Sequence, residues 1–263
     1  MPEIAFRKSG RTYTLNGETL PSVTTILDGG FPKPALVTWA VRETAGYAVD
    51  HWEELDAAPA SERLRTLERA AWSKRDKAAF RGTELHEIGD RLSLGEAIEV
   101  PPQYETIAQL YADWLDSWDA DVVASERPVL YVGNRLDDVL NPPPYAGTFD
   151  LIADLRDGNR WLLDIKTGKG VYDSHVLQLA AYRYASHMLH ATGDLVPMIE
   201  TDRVGVIHVQ PDRIDLVPVA ADEDAFATFA HIRAVADYGT RARAAWKAGE
   251  AWPVGRALER TAS

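Results

Sequence analysis

The stretch from Tyr145 to Tyr182, YAGTFDLIADLRDGNRWLLDIKTGKGVYDSHVLQLAAY, constrains the fold more than any other part of the chain. Two apolar runs read as strands, the first carrying Asp150 and the second Asp164-Ile165-Lys166. The turn-forming residues Arg156-Asp157-Gly158-Asn159 separate them. A helical segment over 174–191 follows, with Gln178 and Tyr182 one turn apart. Side chains alternate along a strand, so Asp164 and Lys166 share a face with Leu162. Trp161, Leu163 and Ile165 point the other way and read as core.

A carboxylate and an ammonium side by side on a strand backed by large apolar residues suit hydrolysis of a phosphodiester. Carboxylates hold hard divalent cations through oxygen, and the lysine would orient a water or stabilise developing charge. Alone, a D-x-K triplet reads more readily as an ordinary ion pair on an exposed hairpin, because such triplets are common by chance. If Asp150 and Asp164 converge, they must lie on one face. A two-residue Asp157-Gly158 turn puts them on opposite faces, because a one-residue change of register inverts every side chain. A three-residue loop at 156–158, or a bulge, brings them together, and one of these is expected.

Composition narrows the alternatives. The 263 residues are 46% hydrophobic and 26% charged, with eight Trp and ten Tyr, enough to bury a large core. The chain has no cysteine, which excludes disulfides, thiolate zinc sites and a cysteine nucleophile. No signal-peptide apolar region opens the chain, and no apolar run approaches the ~20 residues of a membrane span. A cytoplasmic protein without a membrane partner is the expectation. The net charge of −12 argues against a broad basic nucleic-acid coat, but clustered carboxylates are also cation ligands.

Residues 4–20 read as a hairpin turning at Asn16-Gly17. In LPSVTTIL, Ser22 reads as the cap of a helix from Val23, although these hydroxyls could instead touch phosphates. FPKPALVTWAVRETAGYAVDHW has helical spacing at Leu36, Trp39, Ala40 and Tyr47. Residues 61–92 are the most basic stretch, with Arg63, Arg65, Arg69, Lys74, Arg75, Lys77 and Arg81. They suit either a solvated helix face or a wall beside a nucleic-acid backbone. At its end, Gly82, His86, Gly89 and Ser93 form one helical stripe, which lets a backbone or a metal approach His86 closely. Residues 104–118 make an amphipathic helix. VVASERPVLYVG reads as a strand, with Pro128 marking an edge or irregularity. Its Glu126 is either solvent-facing or aimed into a site, and spacing alone favours solvent. A proline-marked loop over 136–147 leads to the hairpin. VGVIHVQ and IDLVPVA read as two further strands around Pro211-Asp212, and 222–247 as a final helix.

Taken in order, these pieces resemble the RecB-like exonuclease branch of the PD-(D/E)XK nuclease superfamily. The resemblance rests on Gly82-Thr83…His86, Ser125-Glu126, Gly147-Thr148-Phe149-Asp150, Asp164-Ile165-Lys166-Thr167-Gly168 and Gln178…Tyr182, with LPSVTTIL similar to the start of the group that includes phage RecB-like exonucleases and the mitochondrial genome-maintenance exonuclease. It covers about residues 20–210. It implies an α/β fold with a restriction-endonuclease-like core, a small mixed sheet over 122–219 flanked by helices, and an N-terminal helical elaboration walling or arching over the site. The expected divisions are 1–121, a nuclease core over 122–250 and a tail over 251–263, all one structural domain.

By the resemblance, His86, Asp150, Asp164 and the backbone carbonyl of Ile165 would ligate one or two Mg²⁺ or Mn²⁺ ions. Lys166 would be the catalytic lysine, and Glu126 would support metal or water from the rim. Arg81, Thr167, Gln178 and Tyr182 would contact substrate. Many relatives carry cysteines for an iron–sulfur cluster; this chain has none, so no cluster is expected. No G-x-x-x-x-G-K-[ST] occurs, so a helicase or recombinase would be a separate chain. The implied activity is a metal-dependent DNA exonuclease on single-stranded or frayed ends, bacterial or phage-encoded, serving replication, recombination or repair. The alternatives are a structure-specific endonuclease and a non-catalytic DNA-processing scaffold.

Overall fold

The computed structural model describes residues 5–133 and 142–250. Half of the proline-marked loop and the whole 251–263 tail lie outside the described residues, as does the first residue of the N-terminal hairpin.

The chain begins as a three-stranded antiparallel meander, β1 (Phe6–Ser9), β2 (Thr12–Leu15) and β3 (Glu18–Leu20), rather than one hairpin. The Asn16-Gly17 turn forms as expected, both residues having positive φ (51° and 87°). A second turn at Gly10 adds the extra strand, which pairs Phe6 with Leu15 and Lys8 with Tyr13. Phe6 and Tyr13 are buried against Leu130 and Ala146, so the meander is seated on the main sheet.

Helix α1 (Val23–Gly30) is capped by Ser22, whose Oγ accepts the Thr25 N–H at 3.0 Å. Then come α2 (Pro34–Asp50), α3 (Trp52–Ala57) and α4 (Ala60–Ser93). The basic stretch and the glycine–histidine stripe thus belong to one 34-residue helix, roughly 51 Å long at 1.5 Å per residue. After a 3-10 turn at Pro102–Tyr104 and α5 (Glu105–Ser117), the chain enters its main sheet.

That sheet has seven strands: β4 (Asp121–Tyr131), β5 (Tyr145–Asp154), β6 (Arg160–Lys166), β7 (His187–Leu189), β8 (Leu195–Pro197), β9 (Arg203–Val209) and β10 (Ile214–Pro218). Their spatial order is β10-β9-β6-β5-β4-β7-β8. Only β6 and β9 pair in parallel, which needs a crossover, and α6 (Asp173–Arg183) with the β7–β8 hairpin supplies it. The helix expected over 174–191 therefore stops eight residues early. Ser186 donates both its N–H and its Oγ to the Leu130 carbonyl, and Met188 is buried as the following residues pair with β4. Sheet pairing overrides the local helical preference there. The long helix α7 (Glu223–Lys247), capped by Asp222, closes the fold.

Both faces of the sheet are covered. On one, Leu162, Val206 and Ile152 pack with Val23 and Ile26 of α1, Leu179 of α6 and Phe229 of α7. On the other, Trp161, Leu163 and Ile165 meet Leu85 of α4 and Tyr111 and Trp114 of α5. The architecture is α/β: a mixed seven-stranded sheet with flanking helices and an N-terminal helical region. No described helix is long and apolar enough to cross a membrane.

The hairpin resolves its parity test by the three-residue route. Leu155 N–H donates to the Asn159 carbonyl at 3.1 Å, and Gly158 N–H to Leu155 at 2.9 Å, closing a loop over 156–158. Gly158 takes φ +78°, which a residue with a Cβ adopts only at a cost. The ladder runs Asp154↔Arg160 through Leu151↔Leu163, so Asp150 and Asp164 occupy the next opposed positions. Three positions nearer the start of β5, a methyl at Gly147 would collide with the Tyr182 ring and press on Val23. Gly147→Ala should therefore destabilise the fold by about 1–3 kcal/mol, read as a lower urea midpoint with an unchanged m-value.

Candidate metal centre

Four separate elements deliver the site's side chains. Helix α4 brings His86 in on its glycine stripe. A Cβ on Gly89 would lie 3.3 Å from Ile165 Cδ1, and one on Gly82 would lie 3.6 Å from Thr167 Oγ1. Small residues one turn either side of His86 thus let the helix settle on the end of β6. His86 Nδ1 sits 3.3 Å from Asp150 Oδ2. That same carboxylate oxygen accepts the Ile165 N–H at 2.6 Å, so a side chain replaces a strand in satisfying the amide where the β5–β6 ladder ends.

Strand β4 supplies Glu126, opposite Asp150 by register, through an irregularity that spacing did not reveal. The pairing with β5 slips by one residue between Val122 and Ala124, and Glu126 itself adopts φ 49°. A left-handed glutamate costs about 1–2 kcal/mol, and such residues cluster where function over-determines the backbone. The side chain is turned inward, correcting the solvent-facing reading. Pro128 lies two residues on, where β4 has no β7 partner, because β7 covers only Val129 and Leu130.

His86, Glu126 and Asp150 form a compact group whose ligand atoms lie within 4.8 Å of one another. Asp164 stands beside it, 1% exposed, with Oδ1 accepting from Gln178 Nε2 at 2.9 Å and Oδ2 2.7 Å from Lys166 Nζ. The lysine contact is an ion pair outside hydrogen-bond geometry, so Oδ2 has no hydrogen-bond partner among the described residues. Gln178 Nε2 also reaches the Tyr182 hydroxyl at 3.2 Å, linking the two α6 residues to the acid they face.

The compact group includes Glu126, expected at the rim, while Asp164, an expected ligand, stands beside it. Ile165, whose carbonyl was the expected ligand, also touches Asp150 through its N–H. Thr167 abuts α4 at Gly82. Arg81 lines a different groove with Trp72, Lys77 and Phe80, apart from the cleft at the metal centre. Asp90 had no place in the sequence reading. Ser125 Oγ donates to Asp90 and to the Asp150 carbonyl, and Asp90 lies one helical turn after His86. The i, i+4 spacing from His86 was the available signal for Asp90.

The electrostatics fit a cation site. Burial, reinforced by the Asp150 carboxylate, pushes Glu126 up to about 7. Burial likewise raises Asp164 to about 6, against the pull of the Lys166 ammonium and with the push of Asp150. Burial alone would raise Asp150, but His86, Lys166 and the Ile165 amide together hold it below the ordinary carboxylate range. Burial works against the charge on Lys166, yet Asp164 and Asp150 keep its pKa above the usual lysine value. Buried acids held close together, one oxygen without a hydrogen bond, and an imidazole edge make a donor set suited to Mg²⁺ or Mn²⁺. The absence of cysteine leaves no ligands for an iron–sulfur cluster of the thiolate type.

No protein-family model matches this chain, and no curated protein matches it. Among solved structures, the crystal structure of SSO0001 aligns over 84% of this chain and 74% of that chain, at 18% identity and a TM-score of 0.38. A likeness this distant assigns no activity.

With one nitrogen among its donors, the site should bind Mn²⁺ more tightly than Mg²⁺ in calorimetric titration. Binding must displace the proton that Glu126 holds below about pH 7. From Glu126 alone, Mn²⁺ affinity should weaken about tenfold between pH 8 and pH 6. Glu126→Gln should weaken binding throughout and flatten that dependence.

Proposed function

We propose that this protein is a metal-dependent deoxyribonuclease of the PD-(D/E)XK type, an exonuclease acting on single-stranded or frayed DNA ends. The observation that carries the reading is the β5–β6 register, which sets Asp150 beside the Asp164–Lys166 pair, with His86 3.3 Å from Asp150.

His86, Glu126 and Asp150 would hold the ion, with Asp164 buried beside them against Lys166 and Gln178. A divalent cation, when bound, supplies positive charge to phosphate oxygens and makes a water easier to deprotonate. Asp150 is oriented for its part by the Ile165 amide, and Asp164 by Gln178. Lys166 remains charged in its acidic surroundings and presents Nζ to the attacking water or to a non-bridging phosphate oxygen. Glu126, which burial and Asp150 push up to about 7, would give up its proton on joining His86 and Asp150 around the cation. Gln178 and Tyr182, both lining the cleft, hold the acid in place and border the substrate.

Lys166→Ala and Asp164→Ala should each reduce hydrolysis of labelled single-stranded DNA by at least about 10²-fold, with cooperative unfolding retained. Turnover at the parental rate in either variant overturns the reading. Linear strands labelled at either end, beside a covalently closed circle, should show loss of the linear strands only, in Mg²⁺ or Mn²⁺ and not in EDTA. Cutting of the circle makes the protein an endonuclease, and no cleavage with either metal leaves a scaffold.

A further inference from the structure

The metal centre opens into a cleft of about 540 Å³ whose two walls come from distant parts of the chain. One wall carries His86, Asp150 and Lys166. The other is the N-terminal meander with the first turn of α1, and it presents Lys8 and Arg11 from either side of the β1–β2 turn. The resemblance assigns these two cations no role.

We propose that Lys8 and Arg11 form a phosphate clamp, gripping the backbone of a single-stranded nucleic acid on the side of the cleft facing the metal centre. The proposal rests on the nuclease reading and names the residues that would hold its substrate.

Three observations carry it. The first is charge. The chain has 40 acidic residues against 28 Lys and Arg, and some of its cations are already paired: Lys33 with Asp28, Lys74 with Glu43, Arg91 with Glu96, Arg160 with Asp154. Lys8 and Arg11 make no ion pair and no side-chain hydrogen bond among the described residues, and both are exposed. In so acidic a chain, two unpaired cations in one cleft leave room for an anion from outside.

The second is mounting. Lys8 pairs across the meander with Tyr13, and the Tyr13 hydroxyl is 2.8 Å from Thr148 Oγ1. Thr148 lies two residues before Asp150 on the same strand. Tyr13 is 7% exposed, so the turn bearing both cations is fixed to the strand bearing the metal-binding acid. A loosely tethered pair of cations would lose affinity to the cost of ordering it.

The third is proximity. Lys8 and Arg11 line the same cleft as His86, Asp150 and Lys166. A strand whose scissile phosphate sits over His86 and Asp150 would therefore carry its neighbouring phosphates past Lys8 and Arg11. The exposed hydroxyls of Thr24 and Thr25 border the same wall. Such contacts recognise the backbone rather than the bases and should be sequence-tolerant.

The test is a binding titration of a short labelled single strand, as DNA and as RNA of the same sequence, with Ca²⁺ in place of Mg²⁺ and over a range of KCl concentrations. Each phosphate contact on a single strand contributes about 0.7 to the slope of log K against log salt. Lys8→Ala and Arg11→Ala should each lower that slope by about 0.7, and the double variant by about 1.4. The double variant should also bind about tenfold or more weakly at low salt, and its KM for oligonucleotide hydrolysis should rise more than its kcat falls. Lys8→Arg should keep the parental slope, which a merely structural role would not predict. Mn²⁺ titration of each variant reports whether the metal centre is still assembled. Losses on DNA, on RNA or on both name the strand the clamp holds. A double variant with the parental slope and affinity overturns the clamp while leaving the nuclease reading intact. A parent protein that neither binds nor cleaves either strand overturns both.

Discussion

The bond from the Ile165 amide to Asp150 Oδ2 is the joint on which the site depends. It forms where the β5–β6 ladder gives out, so it consumes a backbone donor that would otherwise be buried without a partner. The loop that makes it possible lies far from the chemistry. Three residues between the strands, rather than two, set the parity of the pairing and put two carboxylates opposite one another. Without that register, Lys166 would have no acid pair to hold its charge and His86 no anion to approach.

The site then balances charges that no member could sustain alone. Two aspartates, a glutamate, a lysine and a histidine share a mostly buried volume, and each draws its protonation from the others. Lys166 keeps its charge because Asp164 and Asp150 flank it. Its field in turn helps hold the nearby His175 down to about 4, after burial as the larger cause. A strongly acidic chain thus concentrates negative charge where a cation would offset it, consistent with −12 overall.

Much of the fold was legible because its signals are local. The alternation around Asp164, the glycine in the hairpin loop, the Ser22 cap and the long helix ending in the His86 stripe each follow from a few adjacent residues. What escaped depends on contacts between distant segments. Helix α6 stops at Arg183 because Leu130, more than fifty residues earlier, offers a carbonyl to Ser186. The extra meander strand forms because Phe6 and Tyr13 find an apolar seat on the main sheet. Glu126, read as solvent-facing without other evidence, turns inward on a strand whose pairing slips by one residue upstream and whose backbone is left-handed at this position. Lys8 and Arg11 are too far from any motif for spacing to link them to Asp150.

The left-handed backbone at Glu126 also bears on how this chain could change. Glycine or asparagine would occupy that φ with less strain, but neither carries a carboxylate of glutamate's reach. Selection for thermal stability alone would therefore draw position 126 away from glutamate, and selection for cation binding would hold it there. The two pressures meet at a single residue, so variants recovered under heat should split from those recovered under metal limitation at this codon before others.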